Sequence, residues 1–224
     1  MSPLMRSLMR PLTRPSRLAA ALLVAALAAP PLAAHPHIFV ATGLKLLRAE
    51  SGLVEGVEIT WRYDALYSLL VLEDMELDAD FDGRLTAAEL QVLDGFDLNW
   101  VEGFNGDLYA KTAKGALGLG PPERRGTRLE KGEIVSRHYR ALTPPAQAFS
   151  LKAFDPTYYT AYDLGLGVDL PAGCEARVLK ADVSAASQKV FELMGDAVDD
   201  PDADYPEVGE DFADEIMIRC AAAS

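Results

Sequence analysis

The sequence predicts an α+β domain, mainly antiparallel β and sandwich-like, carrying an inserted EF-hand-type helix-loop-helix. Three observations point there. Several short runs alternate apolar and polar residues, helical spacing is concentrated between residues 64 and 103, and an acidic twelve-residue loop lies within that stretch.

The elements follow in order. His37 to Leu47 and Leu53 to Tyr63 are strand-like, and Ser51-Gly52 between them makes a β-hairpin. In the second run Val57, Ile59 and Trp61 alternate with Glu58, Thr60 and Arg62, giving one buried face and one wet face. Asp64 is placed to N-cap a helix with Leu66, Leu69, Leu70 and Leu72 at helical spacing up to Leu77. A second helix is expected from Thr86 to about Gly95, extending toward Gly103. Strands are then expected at Leu108 to Ala113, Ile134 to Leu142, Ala148 to Phe154, Tyr158 to Leu164, Ala176 to Lys180 and Glu215 to Cys220. A short helix covers Ala185 to Met194. Gly115, Gly118, Gly120-Pro121-Pro122 and Pro144-Pro145 mark turns between them.

Residues 1–34 read as a signal peptide. Arg6, Arg10, Arg14 and Arg17 precede an apolar run from Leu18 to Ala29. Pro30-Pro31 end it, and Leu32-Ala33-Ala34 supply small residues for cleavage. The run is shorter than the roughly 20 residues a bilayer span needs. The segment lacks an arginine pair, so the general secretory route to the periplasm is expected. Residues 35–224 then form a single periplasmic domain with residues 64–103 as the helix-loop-helix insertion. No other run is long and apolar enough to cross a membrane.

The chain has 34 acidic and 21 basic residues, a formal charge of −13. Losing the first 34 residues removes four arginines and no acid, which takes it to −17. Phosphate is repelled by such a surface, so nucleic acid is excluded as a partner and metal cations are natural ones. Cys174 and Cys220 are the only cysteines, and in an oxidising compartment they are expected to form a disulfide bond.

The acidic loop runs from Asp78 to Glu89. Asp78, Asp80 and Asp82 place hard carboxylate oxygens at alternate positions, and Gly83 allows the sharp bend that wraps the chain round an ion. Arg84 is expected to contribute its backbone carbonyl, Thr86 to act through water, and Glu89 to bind with both oxygens. Thr86-x-x-Glu89 also forms a capping box for the second helix. That accounts for two of the residues but not for three alternating aspartates before a glycine. Calcium in a structural role is the expected ion, because the loop is unpaired.

Three histidines are present. Cleavage after Ala34 leaves His35 as the new terminus of His35-Pro36-His37, whose amine and imidazoles suit a transition metal. His138 can join only if folding brings it near. No GxSxG, HExxH, Walker A or GxGxxG motif marks an enzyme. Asp155, Tyr158, Tyr159 and Tyr162 form a polar-aromatic cluster that suits either a core or a pocket, and Glu73, Asp74 and Glu76 suit a wet helix face.

Taken together, Ala34-His-Pro-His-Ile-Phe-Val40, Trp61-Arg-Tyr-Asp64, the Asp78–Glu89 loop, Asp155-Pro-Thr-Tyr-Tyr159 and Phe212-Ala-Asp-Glu-Ile-Met-Ile-Arg-Cys220 resemble an exported family, domain of unknown function 1007. Its members are labelled the periplasmic component of an uncharacterised ABC-type transport system. The resemblance implies a non-enzymatic accessory protein tied to divalent-metal (nickel, cobalt or zinc-type) transport, with an inner-membrane metal permease as partner. The alternatives are a secreted interaction module using calcium only structurally, and a hydrolase with an unrecognised site.

Overall fold

A computed structural model describes residues 36–195, 197 and 205–221. The expected signal peptide at 1–34 and His35 lie outside the described residues. Among the described residues, no helix is long and apolar enough to cross a membrane.

The architecture is a ten-stranded, mostly antiparallel sheet that curls into a half-barrel, with few helices. Two strands form the first hairpin: β1 (Ile38–Arg48) and β2 (Val54–Tyr63), registered Leu44 to Ile59. Two helices follow, α1 (Ala65–Asp74) and α2 (Ala87–Leu93). Then come β3 (Leu108–Thr112), β4 (Gly115–Leu119), β5 (Glu123–Glu130), β6 (Glu133–Ala146), β7 (Ala148–Ala153), β8 (Thr160–Asp169) and β9 (Cys174–Leu179). A third helix, α3 (Val183–Met194), and a 3₁₀ turn at Gly209–Phe212 precede β10 (Glu215–Cys220).

Spatially the order is β8-β1-β2-β6-β4-β3-β7-β10-β9, with β5 also on β6. Only β1 and β8 run parallel among these pairs. The expected sandwich of two packed sheets is thus one continuous sheet. The long strand β6 makes this possible. It pairs with β2 along one edge, and along the other with β5 over its first half and with β4 at Leu142 and Thr143.

Strand β4 stands where Gly115 and Gly118 were expected to mark turns, and β5 stands where no element was expected. Gly118 lets β4 approach β6 closely; a Cβ there would lie 2.9 Å from the Thr143 carbonyl oxygen. In β5, Glu-Arg-Arg-Gly-Thr-Arg-Leu-Glu lacks an apolar face because it is an edge strand, mostly open to water. The second helix ends at Leu93, close to the expected Gly95, and does not run on toward Gly103, as Asp94 leaves helical geometry and Gly95 takes φ +79°.

Side-chain alternation builds the inner face. Val40, Leu44 and Leu46 of β1, Val57, Ile59, Trp61 and Tyr63 of β2, and Ile134, Ser136, His138, Arg140 and Leu142 of β6 are all buried. Three polar residues in that last series are unusual. The segment 95–107 lies over them. The Trp100 ring stacks 4.9 Å from the Arg140 guanidinium, and Asp97 accepts hydrogen bonds from the Tyr63 hydroxyl (2.8 Å) and the Ser136 hydroxyl. Among the described residues Arg140 has no carboxylate partner. It donates instead to the carbonyls of Gly120 (2.9 Å), Asn105, Leu119 (3.2 Å) and, at 3.5 Å, Leu108. One buried cation so ties the covering segment, the start of β3 and the end of β4 to β6.

Cys174 and Cys220 are bonded as expected, directly opposite each other on β9 and β10. The bridge closes a separation of 46 residues, worth about 4 kcal/mol on the chain-entropy account.

Candidate metal centre

The acidic loop hangs between α1 and α2. Asp64 anchors its approach: one carboxylate oxygen accepts the Tyr67 N–H as the cap of α1, the other the Phe39 N–H of β1, both at 2.9 Å. Ser68, fully buried in α1, accepts the Ile134 N–H at 2.9 Å and joins the helix to β6. At the far end Leu77 N–H bonds back to Leu72, and the largely buried Leu77 pins the chain just before Asp78.

The turn itself needs three left-handed residues, Asp78 (φ +52°), Phe81 (φ +54°) and Gly83 (φ +74°). The Asp78 carboxylate stabilises it, accepting the N–H groups of Asp82 (3.1 Å) and Gly83 (3.2 Å). Asp82 in turn accepts the Arg84 N–H at 2.8 Å. The chain therefore bends back so that Asp78, Asp80 and Asp82 each offer an oxygen within 4.8 Å of the others. Three converging carboxylates with no cation between them repel. Their oxygens are hard donors, suited to Ca²⁺ or Mg²⁺ rather than to a thiophilic metal. Leu85 packs against the core, as the loop pattern requires.

Glu89 is arranged differently. One of its oxygens accepts both the N–H (2.8 Å) and the hydroxyl (2.7 Å) of Thr86, and the other accepts the Asp78 N–H at 3.1 Å. The Thr86 contacts hold its pKa below the usual carboxylate value. Thr86 and Glu89 form the full capping box of α2. Glu89 thus bridges the two ends of the loop instead of joining the three aspartates. Arg84 is exposed, its side chain outside the cluster.

His37 and His138 lie far apart. His37 is exposed just before β1, with its ring 4.7 Å from Tyr159. His138 is fully buried on β6, level with Ile59 and hence with Leu44. Leu44 is seven residues along β1 from His37, roughly 23 Å at strand rise. His138 therefore cannot complete a site at the N-terminus. Its ring lies 4.6 Å from Trp61 and 5.8 Å from Trp100, edge-on to both. Neither ring nitrogen has a hydrogen-bond partner among the described residues. Burial, with the Arg140 charge beside it, lowers its pKa to about 3.

The tyrosine cluster is built into the fold. Asp155 accepts the N–H groups of Thr157 (2.9 Å) and Thr160 (3.0 Å), Tyr158 stacks 3.9 Å from Phe212, and Tyr162 donates to Asp107 at 2.9 Å. The space beside Tyr158 and Tyr162 is about 10 Å³, smaller than a water molecule's share of liquid volume. Asp107 is a buried acid that sequence reasoning passed over. Burial raises its pKa to about 7, outweighing the Tyr162 hydrogen bond. Asp97 is pushed up for the same reason. No motif surrounds either residue, since the partners come from distant strands.

A family profile described as "Protein of unknown function (DUF1007)" matches residues 20–220. No curated protein matches the chain. Among solved structures, AChBP from Bulinus truncatus aligns over 92% of this chain and 99% of its own, at 10% identity and a TM-score of 0.28. A likeness that slight carries no argument about fold or activity.

Proposed function

The chain belongs to the domain of unknown function 1007 family, and on that premise we propose that it is a periplasmic, non-enzymatic calcium-binding protein serving divalent-metal transport. The helix-loop-helix from α1 to α2 acts as an unpaired EF-hand-type site. One observation carries the reading: Asp78, Asp80 and Asp82 converge within 4.8 Å on a loop that Asp78 itself folds. Calcium is held by these three carboxylates, the Arg84 carbonyl, Thr86 through water, and Glu89 once it turns in from its capping position. The ion braces the loop rather than switching it, since a single site in a calcium-rich compartment needs only an affinity of about 10⁻⁴–10⁻³ M.

The transport role rests on family resemblance and on charge. An acidic exported protein suits metal cations, and an inner-membrane metal permease is the partner we favour. His35 and His37 supply a second, transition-metal site at the processed N-terminus. The decisive experiment is calorimetric titration of protein recovered from the periplasm of an expressing cell, with calcium and then nickel or copper. Calcium heat that Asp80→Asn and Asp82→Asn together abolish supports the site. Cytoplasmic retention, or no calcium heat at millimolar ion, defeats the reading.

A further inference from the structure

Helix α1 is apolar on both sides. Ser68 and Leu72 face inward and are buried, yet Leu66, Leu69 and Leu70 are 65%, 47% and 52% exposed. Those three recur at i, i+3 and i+4, one continuous outward stripe. A contiguous apolar stripe of this kind, left open to water and bordered by polar residues, marks an interaction surface. Of the stripe, Leu70 borders a groove of about 870 Å³ between α1 and α2 that Val71, Met75 and Phe96 also line, and Leu69 borders the hollow beside it. Val92, 59% exposed, forms its opposite wall, and Phe81, 77% exposed, stands in the neighbouring hollow with Leu69.

The surroundings are strongly of one sign. Residues 65–95 contain eight acids, and Arg84 is their only basic residue. Glu73 and Glu76 line the hollow with Leu69 and Phe81, and Asp74 lines the groove. Arg124 also reaches the groove but is paired with Asp94 at 3.5 Å. The surface therefore combines an apolar ridge and groove with an acidic rim.

We propose that the α1–α2 face is a docking site for a cationic amphipathic helix of a partner protein, its apolar stripe seated along Leu66, Leu69, Leu70 and Val92 and its lysines or arginines on the acidic rim. Helix-in-groove recognition needs this combination of spaced apolar anchors and a polar border. Charge decides between occupants. An anionic membrane is repelled by the rim, and a second copy of the same face would set acid against acid. The inference does not require calcium in the loop, so it stands or falls separately from the metal site.

The test uses the full chain and an 18-residue leucine-lysine peptide with a single apolar helical stripe, followed by fluorescence anisotropy and by backbone NMR. Two control peptides are needed: one with glutamate for lysine, and one of the same composition scrambled to destroy the stripe. Binding of the striped lysine peptide at least tenfold tighter than either control, with shifts confined to α1 and α2, is expected. The exposed double variant Leu69→Ser/Leu70→Ser, checked for an unchanged circular dichroism spectrum, should lose at least tenfold in affinity, and Val92→Ser should lose affinity as well. Equal binding of the scrambled peptide or of the double variant overturns the proposal. So does failure of the full chain to bind, preferential binding to phosphatidylglycerol vesicles, or a dimer in sedimentation that the double variant dissolves.

Discussion

The Glu89 carboxylate accepts the backbone N–H of Asp78 at 3.1 Å, so the last residue of the acidic loop holds the first. The same side chain caps α2 through Thr86. In this arrangement Glu89 stabilises the loop without contributing to the carboxylate cluster, and the calcium site proposed above would need it to rotate inward. Glu89→Ala should therefore show two separable losses. Without calcium, the urea midpoint falls slightly because the reciprocal half of the capping box is lost. With calcium at a hundred times the dissociation constant, the wild type gains about 2.7 kcal/mol that the variant does not. Urea unfolding with and without millimolar calcium measures both, and an identical calcium gain in the two proteins refutes the role given to Glu89.

Arg140 should be the least replaceable charge of the interior. It is buried and its donors meet four backbone carbonyls, of Asn105, Leu108, Leu119 and Gly120. Arg140→Met keeps much of the volume but strands those acceptors. A loss of about 3 kcal/mol or more is expected in chemical denaturation. A change below 1 kcal/mol would show that the carbonyls are satisfied without it.

The interior carries two opposed pH dependences. His138 titrates at about 3 against a reference of 6.5. Between those values the unfolded chain binds the extra proton, so this residue's share of stability rises with pH. Asp107 titrates at about 7 against 3.8. There the folded state binds the extra proton, so its share of stability falls as pH rises from 3.8 to about 7. Each slope is about 1.4 kcal/mol per pH unit at most, and they offset each other from about pH 4 to 6.5. His138→Leu should expose the falling slope and Asp107→Asn the rising one, read from urea midpoints at pH 4 to 8. Wild-type slopes in both variants would show that neither group titrates as described.

Two glycines separate conformational need from steric need. A Cβ on Gly209 would stand 1.8 Å from the Asp155 carbonyl oxygen, so Gly209→Ala must push the 3₁₀ turn off the Asp155 loop. A Cβ on Gly83 meets nothing within 4 Å, although its φ is +74°. Gly83→Ala should cost about 1 kcal/mol from backbone strain alone, and Gly209→Ala clearly more. Thermal unfolding compares them directly, and equal midpoints would remove the steric account.

Serine at both Cys174 and Cys220 should lower stability by about 2–4 kcal/mol, with no further effect of reductant. A wild type insensitive to dithiothreitol, as stable as the double variant, would contradict the bridge's contribution.

The sequence alone determined the local features. Period-two alternation in residues 54–63 marked β2 because one face of that strand is wet and the other buried. Asp64 marked the start of α1 because an N-cap acts within three residues. The aspartates at 78, 80 and 82 converge because a short loop sets their spacing, and two cysteines in one chain left a single intramolecular pairing. Tertiary structure alone decided the rest. Strand β4 is glycine-rich and β5 is mostly charged, and only pairing with β6 makes them strands. That same pairing joins the expected sandwich into one curled sheet. The seven-residue offset between His37 and the level of His138 depends on strand register, which no local pattern encodes. The buried acids Asp97 and Asp107 and the four-carbonyl tie of Arg140 depend on groups far apart in the chain, because a long-range hydrogen bond leaves no period in the sequence. The acidic loop was legible for the opposite reason: every group that shapes it lies within twelve residues.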